Sequence, residues 1–271
     1  TRKRLSAAAG LLASLTATSA HAADDPDNPR LFSAQDVFEL EWADDPQISP
    51  DGTQAIYQRR FNDIQPARTR SHVWIVNLDG TGHEPLLADE GSYRFARWSP
   101  DGTRIAFTTV FVHYMRSGRR ALLGTFEETP FNLTWSPDSQ NIAFTMSVPK
   151  KAKKLVKARK KPKGAKWAKA PVVIDRARYR TNGSGILALA YNHVFVIPAE
   201  GGTARQLTSG DFNHGGGLSF TPDGSEILFS ANRNTDWELQ SREADIFAVR
   251  VADGTLRQLT DAPGVESRPQ V

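Results

Sequence analysis

Residues Ala96–Phe107 read Ala-Arg-Trp-Ser-Pro-Asp-Gly-Thr-Arg-Ile-Ala-Phe. The middle of this stretch is built to turn. Pro100 presets φ for the second position of a type I turn. Asp101 can bond its own backbone, and Gly102 can take a positive φ without a Cβ clash. Apolar, aromatic and β-branched residues flank the turn and suit strands. Ala96–Trp98 and Thr103–Val110 are therefore expected as neighbouring antiparallel strands.

The corner recurs at 48–57 (ISPDGTQAIY), 98–107, 135–144 (WSPDSQNIAF) and 220–229 (FTPDGSEILF). A second element repeats at 72–80, 193–201 and 245–254, each ending in Asp-Gly or Glu-Gly. A third repeats at 83–89, 204–210 and 256–262. In order, these pieces make a unit of four antiparallel strands over roughly 40–45 residues, the signature of a propeller blade. The 3.6-residue periodicity of a helical solenoid is absent. The fold class is therefore all-β: a β-propeller of four-stranded antiparallel blades. Val271 falls where Trp98, Trp135 and Phe220 stand in the earlier units. That alignment predicts about four blades plus the first strand of a fifth, an incomplete ring belonging to a longer protein. The second unit lacks a clear third-strand motif after Phe111.

With 271 residues, fourteen Phe and six Trp, the chain can fill large blade-to-blade cores. It has no cysteine, which excludes disulfides and cysteine-bound metal. His21, His72, His83, His113, His193 and His214 show no ligand spacing, so neither metal nor cofactor is expected. His72 and His193 occupy the same repeat position and are expected to start strands.

The amino terminus follows different rules. Arg2-Lys3-Arg4, an apolar run Leu5–Ser19 and Ala20-His21-Ala22 form the basic, apolar and A-x-A parts of a secretory leader. Residues 1–22 are expected to be removed after Ala22, with 23–30 a linker and 31–271 the propeller. The apolar run is too short to span a bilayer comfortably, so no stable membrane insertion is expected after removal. A periplasmic or secreted location follows, and the formal charge falls from +4 to +1 with the three leader basics. Eleven Lys or Arg and no acid crowd Lys150–Lys169. An exported protein rarely meets nucleic acid, so this reads as a solvated insertion at about 149–171, not a nucleic-acid site. His214-Gly215-Gly216-Gly217 matches an oxyanion-hole sequence but leads straight into a strand. Glycines letting the backbone crowd near the propeller centre account for it. No G-x-S-x-G occurs, and no catalytic residue is assigned.

The corners resemble TolB-like and WD40-like repeats broadly. Lys163–Ala168, Val173–Arg176, Arg178–Arg180, Asn192–Pro198, Gly201–Thr208, Gly210–Gly217, Asn232–Glu238 and Asp245–Val249 together resemble something narrower. They are similar to the amino-terminal propeller of bacterial prolyl oligopeptidase family serine peptidases, of the acylaminoacyl-peptidase and dipeptidyl-peptidase kind. The likeness covers about 31–271, most specifically 163–260. It implies a following α/β-hydrolase domain with a Ser-Asp-His triad that cleaves short peptides near their amino ends. It implies a propeller that restricts access and helps hold the peptide. That hydrolase domain is missing from these 271 residues, so the polypeptide alone is expected to be inactive. On this resemblance the substrate-binding candidates are Arg178, Tyr179, Arg180, Asp236, Trp237, Glu238 and Arg242, charged or aromatic residues in loop stretches. An acid such as Glu238 suits an α-ammonium, an arginine a carbonyl or carboxylate. Two other readings stand beside this one: a stand-alone TolB-like binding scaffold of the cell envelope, and a non-functional fragment.

Overall fold

The computed structural model describes residues 32–65, 67–108, 110–151, 162–166 and 173–271. The expected leader 1–22 and linker 23–30 lie outside these residues. So does the Lys-rich insertion apart from 149–151 and 162–166.

After one helical turn, α1 (Asp36–Glu39), the described residues form four sheets of four antiparallel strands. Blade I holds β1 (Glu41–Ile48), β2 (Gln54–Asp63), β3 (Arg68–Asn77) and β4 (Glu84–Leu87). Blade II holds β5 (Arg97–Trp98), β6 (Arg104–Phe107), β7 (Phe111–Tyr114) and β8 (Arg120–Leu122). Blade III holds β9 (Phe131–Trp135), β10 (Asn141–Pro149), β13 (Ala190–Pro198) and β14 (Arg205–Gln206). A small hairpin, β11 (Arg180–Thr181) and β12 (Gly185–Ile186), stands inside its long second-to-third connection. Blade IV holds β15 (His214–Phe220), β16 (Glu226–Ala231), β17 (Asp245–Arg250) and β18 (Leu256–Gln258). The innermost strands touch in succession: β1 lies against β5, β5 against β9, and β9 against β15. This radial order is that of a propeller.

Each corner is a small hydrogen-bonded device. In blade II the Ser99 hydroxyl donates to Asp101 Oδ1 at 2.6 Å and the Thr103 N–H to the same oxygen at 2.9 Å, while Gly102 takes φ +69°. The N–H groups of Thr53, Gln140 and Ser225 donate likewise to Asp51, Asp138 and Asp223 at 3.1, 2.9 and 3.0 Å. Burial opposes ionising Asp101, yet Ser99, Thr103 and Arg104 outweigh it and hold its carboxyl at about 2. In blade III a serine takes the glycine position: Ser139 has φ +59°. Its hydroxyl accepts the Asp101 N–H at 3.2 Å and its carbonyl accepts Arg104 Nη2 at 2.7 Å, tying two corners together.

The core lies between blades. Ile56, Val73 and Leu87 of blade I meet Ile105 and Phe107 of blade II. Val112 of blade II meets Leu133, Phe144 and Ile197 of blade III. Val194 and Val196 on the other face of blade III meet Ile227, Phe229 and Val249 of blade IV. Second strands of inner blades are therefore covered on both faces. That explains continuous apolar runs such as Ile105-Ala106-Phe107 and Ile142-Ala143-Phe144, where a half-exposed strand alternates. In blade I, β2 buries Ile56 and Gln58 and leaves their neighbours half-exposed, the pattern of a sheet covered on one face.

Three expectations change in detail. The strand expected over Thr103–Val110 ends at Phe107, because Val110 turns with φ +54° into β7. Blade II therefore has third and fourth strands without the motif seen elsewhere; Ser117-Gly118, with Gly118 at φ 65°, makes the turn that Asp-Gly makes in blades I and IV. His72 and His193 do not start strands. They sit inside β3 and β13, opposite Arg59 and Met146. After β18, Val265 makes one parallel bridge to Ala244, and 266–271 pair with no strand among the described residues.

Candidate ligand-binding site

Strand direction sorts the connections between two ends of the sheets. Corner turns and third-to-fourth turns share one end. Second-to-third connections and links between blades share the other. The described residues between β10 and β13 of blade III and 232–244 of blade IV are both second-to-third connections, so the topology brings them to one face.

All seven candidates lie in these two connections. Glu238 joins them: its Oε2 accepts the N–H of Ala177 at 2.8 Å, next to Arg178. Trp237 stands edge-on to Tyr191, ring centres 6.2 Å apart. Lys150 pairs with Asp211 and lies 5.9 Å over the Tyr191 ring. Burial and then the Asp211 charge raise the Tyr191 phenol above its ordinary value, so it stays a hydrogen-bond donor. The Tyr179 carbonyl accepts Leu187 N–H at 2.8 Å, closing the small hairpin. Asp236 takes the Gln240 amide at 2.8 Å. Arg178, Tyr179 and Arg180 are exposed on the hairpin, and Arg242 is exposed at the far end of the blade IV loop. The structure thus ties Ala177, which precedes 178–180, to Glu238 by one hydrogen bond and leaves Arg242 apart.

His214 anchors the same loops from beneath. It is buried, its Nδ1–H donates to the Asn192 carbonyl at 3.0 Å, and its Nε2 accepts Arg233 Nη1 at 2.6 Å. Burial, together with the neighbouring His193 and Arg233, lowers its pKa to about 4. It is a neutral acceptor that fixes Arg233, whose guanidinium lies 4.5 Å over the Phe212 ring.

A second feature escaped sequence reasoning. Where the inner strands converge, a cavity of about 1020 Å³ opens, lined by β1, β9, β15, the approach to β5, and the tail 268–271. Each of these segments carries a left-handed residue: Asp45 (φ 51°), Phe95 (55°), Asn132 (52°), Gly217 (97°) and Arg268 (57°). The first four stand four residues ahead of the corner Ser or Thr, and in β1, β9 and β15 the ladder register slips there. Such bulges bend a strand and re-aim its side chains. The common offset is legible in the sequence. The positive φ is not legible at Phe95 and Arg268, residue types that rarely adopt it, whereas Asp45 and Asn132 are of types that tolerate it. Gly216 and Gly217 of the oxyanion-like stretch belong to this wall, and a Cβ on Gly216 would lie 1.9 Å from Ser230 Oγ.

Among the described residues no group of His, Asp or Glu could hold a metal ion, and no helix is long and apolar enough to cross a membrane.

Residues 167–268 match the family described as the dipeptidyl peptidase IV (DPP IV) N-terminal region. The chain is 28% identical over 226 residues to the uncharacterized peptidase YuxL of Bacillus subtilis, covering 80% of this chain and 34% of that protein. It is 24% identical over 242 residues to dipeptidyl-peptidase 5 of Porphyromonas endodontalis, covering 82% and 34%. The chain therefore spans about a third of the length of the curated relatives it matches. Pyrococcus horikoshii acylaminoacyl peptidase superposes with a TM-score of 0.60 at 14% identity, over 83% of this chain and 33% of that one. This likeness shows the shared fold.

Proposed function

We propose that the chain carries the propeller region of a peptidase of the prolyl oligopeptidase kind, and that this region receives peptides on the loop face of blades III and IV for a hydrolase domain outside these residues. The observation that carries the reading is the Glu238–Ala177 contact. It holds an exposed arginine-tyrosine-arginine hairpin against a loop bearing a carboxylate and an indole. That combination offers a peptide three kinds of contact: a carboxylate for its α-ammonium, guanidinium donors for its carbonyls, and aromatic faces for an apolar side chain.

Glu238 spends one oxygen on Ala177 and keeps the other for a ligand. Arg178 and Arg180 make no ion pair among the described residues. The propeller's part is positioning and access, since no nucleophile with an activating base is assigned in this chain. Isothermal titration of the 271-residue polypeptide with short peptides tests this. Binding should weaken at least fivefold when the α-amine is acetylated, or in Glu238→Gln and Arg178→Gln. Equal affinity for free and acetylated peptides ends the assignment of Glu238. Amino-acyl and dipeptidyl reporter substrates should not be turned over; hydrolysis blocked by a serine-directed inhibitor would place chemistry in this chain. Export is part of the proposal, and rests on the 1–22 pattern. Terminal sequencing of the protein from a bacterial periplasm should begin at Ala23.

A further inference from the structure

The blade IV loop is zipped to itself around Gln240. The Asn232 amide donates to the Gln240 carbonyl at 2.8 Å, the Gln240 amide to Asp236 Oδ2 at 2.8 Å, and the Leu239 N–H to the Asp236 carbonyl at 2.8 Å. Asp236, Trp237 and Glu238 therefore share one turn and shift together. None of 233–242 is buried. Such a segment opens at low cost unless something holds its base. Arg233 is that hold. Its Nη1 donates to Nε2 of buried His214 at 2.6 Å, and its guanidinium lies over the Phe212 and Phe247 rings at 4.5 and 6.0 Å. No acid pairs with Arg233 among the described residues. An arginine that ends on a histidine nitrogen is held only while that nitrogen keeps its lone pair.

The surroundings of His214 admit one protonation state. Nδ1–H is spent on the Asn192 carbonyl at 3.0 Å, so a second proton must go to Nε2, where it would face the Arg233 N–H. On β13 the His193 ring stands 5.1 Å away, and on β16 the Phe229 ring stands edge-on at 5.4 Å. Asp211, in the connection that leads into β15, is taken up by Lys150. Burial, and then the charges of His193 and Arg233, outweigh the Asn192 and Phe212 carbonyls and hold the His214 pKa at about 4. An imidazole swung out into water recovers its ordinary value near 6.5. The open loop therefore takes up the proton first, and the closed loop loses ground as pH falls below that value.

We propose that His214 and Arg233 form an acid-released latch: neutral His214 positions the loop that carries Glu238, and its protonation frees Arg233 and with it the peptide-receiving face. A solvent proton goes to Nε2, the Arg233 N–H···Nε2 bond breaks, and the guanidinium turns to water. His214 is a positioning residue here and touches no peptide. The consequence for peptides rests on the reading of the loop face given above. The latch itself stands on buried contacts beneath that face, so the two can fail separately.

Amide hydrogen exchange of the 271-residue chain, read by mass spectrometry at pH 7 and pH 5, tests the latch without a ligand. Protection of 233–244 should fall at least tenfold between the two, and at both it should lie below that of β16 and β17, the mark of a local opening. In His214→Gln the fall should shrink to twofold or less. Arg233→Met, on a half-buried side chain, gives the same reading where His214→Gln unfolds the blade. Fluorescence anisotropy with a labelled pentapeptide carboxamide then tests the consequence. The parent should bind at least fivefold more weakly at pH 5 than at pH 7, and both variants should lose that ratio. Glu238→Gln should bind more weakly at both values and keep the ratio. Loop protection that stays constant from pH 7 to pH 5 in the parent overturns the latch, as does loop protection equal to that of β16 and β17. A pH dependence surviving in both variants overturns His214 as its origin. Loop protection that falls while peptide affinity holds steady overturns the link to binding. No peptide binding at either pH overturns the loop-face reading, and the exchange result alone then decides the latch.

Discussion

Arg104 offers the sharpest test of how the blades are held together. Its side chain is 9% exposed. Nη2 donates to the Ser139 carbonyl at 2.7 Å and reaches Asp101 at 3.4 Å. Nη1 meets Glu200 at 2.9 Å, and the guanidinium lies 5.0 Å over the Trp135 ring. One residue of blade II therefore grips the corner, an indole and a loop of blade III. The charged bond to the buried Ser139 carbonyl is worth about 1.5–3 kcal/mol, and the stacking on Trp135 about 1 kcal/mol. Glu200 is 72% exposed, so its pair adds well under 1 kcal/mol. Relief of guanidinium burial offsets part of the loss, because Nε is buried without a partner. Arg104→Met, which keeps the volume, should cost about 2–3 kcal/mol. In a domain of this size that lowers Tm by roughly 5–10 °C. Arg104→Lys should lose nearly as much, since an ammonium cannot serve two directions and stack as well. Glu200→Gln should stay within about 0.5 kcal/mol of the parent. Urea unfolding followed by tryptophan fluorescence measures all three. If Arg104→Met unfolds at the parent's midpoint, or Glu200→Gln costs as much as Arg104→Met, the clamp is not where the stability resides.

Three further outcomes can be measured alongside. His214 stays neutral in the fold down to about pH 4, against 6.5 ordinarily. The unfolded chain takes up the proton first as pH falls, so about 3 kcal/mol present above pH 6.5 is lost by pH 4. His214→Gln should flatten that limb of a stability-against-pH curve, and a limb of undiminished slope argues against the burial described. Gly216→Ala faces both a positive φ of 73° and the Ser230 hydroxyl, whereas Gly52→Ala at φ 69° meets open space. The first should cost at least about 2 kcal/mol and be partly rescued by Ser230→Ala. The second should cost about 1 kcal/mol. The corner carboxyls of Asp101 and Asp223 titrate at about 2, so their contribution survives at pH 4 and disappears as pH falls towards 2. Replacing either Asp with Asn should shrink the acid-unfolding step over that range.

The blades were legible before any coordinates. A Ser-Pro-Asp-Gly corner is a local device: its proline, carboxylate and glycine act on backbone within a few residues, so four copies in the sequence mean four corners in the fold. Runs such as Ile142-Ala143-Phe144 likewise announce strands covered on both faces, because burial follows from composition and length. The grouping of Arg178–Arg180 with Asp236–Glu238 was foreseeable only as a likeness to known sequences. The Glu238–Ala177 contact itself depends on two connections separated by some sixty residues meeting at one end of adjacent sheets. The cavity was not legible at all. Its lining comes from segments spread between Asp44 and Val271, and its charge balance depends on which arginine finds which carboxylate. Left-handed turns at Phe95 and Arg268 run against those residues' own preference and are imposed by the tertiary structure. Local chemistry is written in neighbouring residues. Convergence around a centre exists only once the blades have stacked.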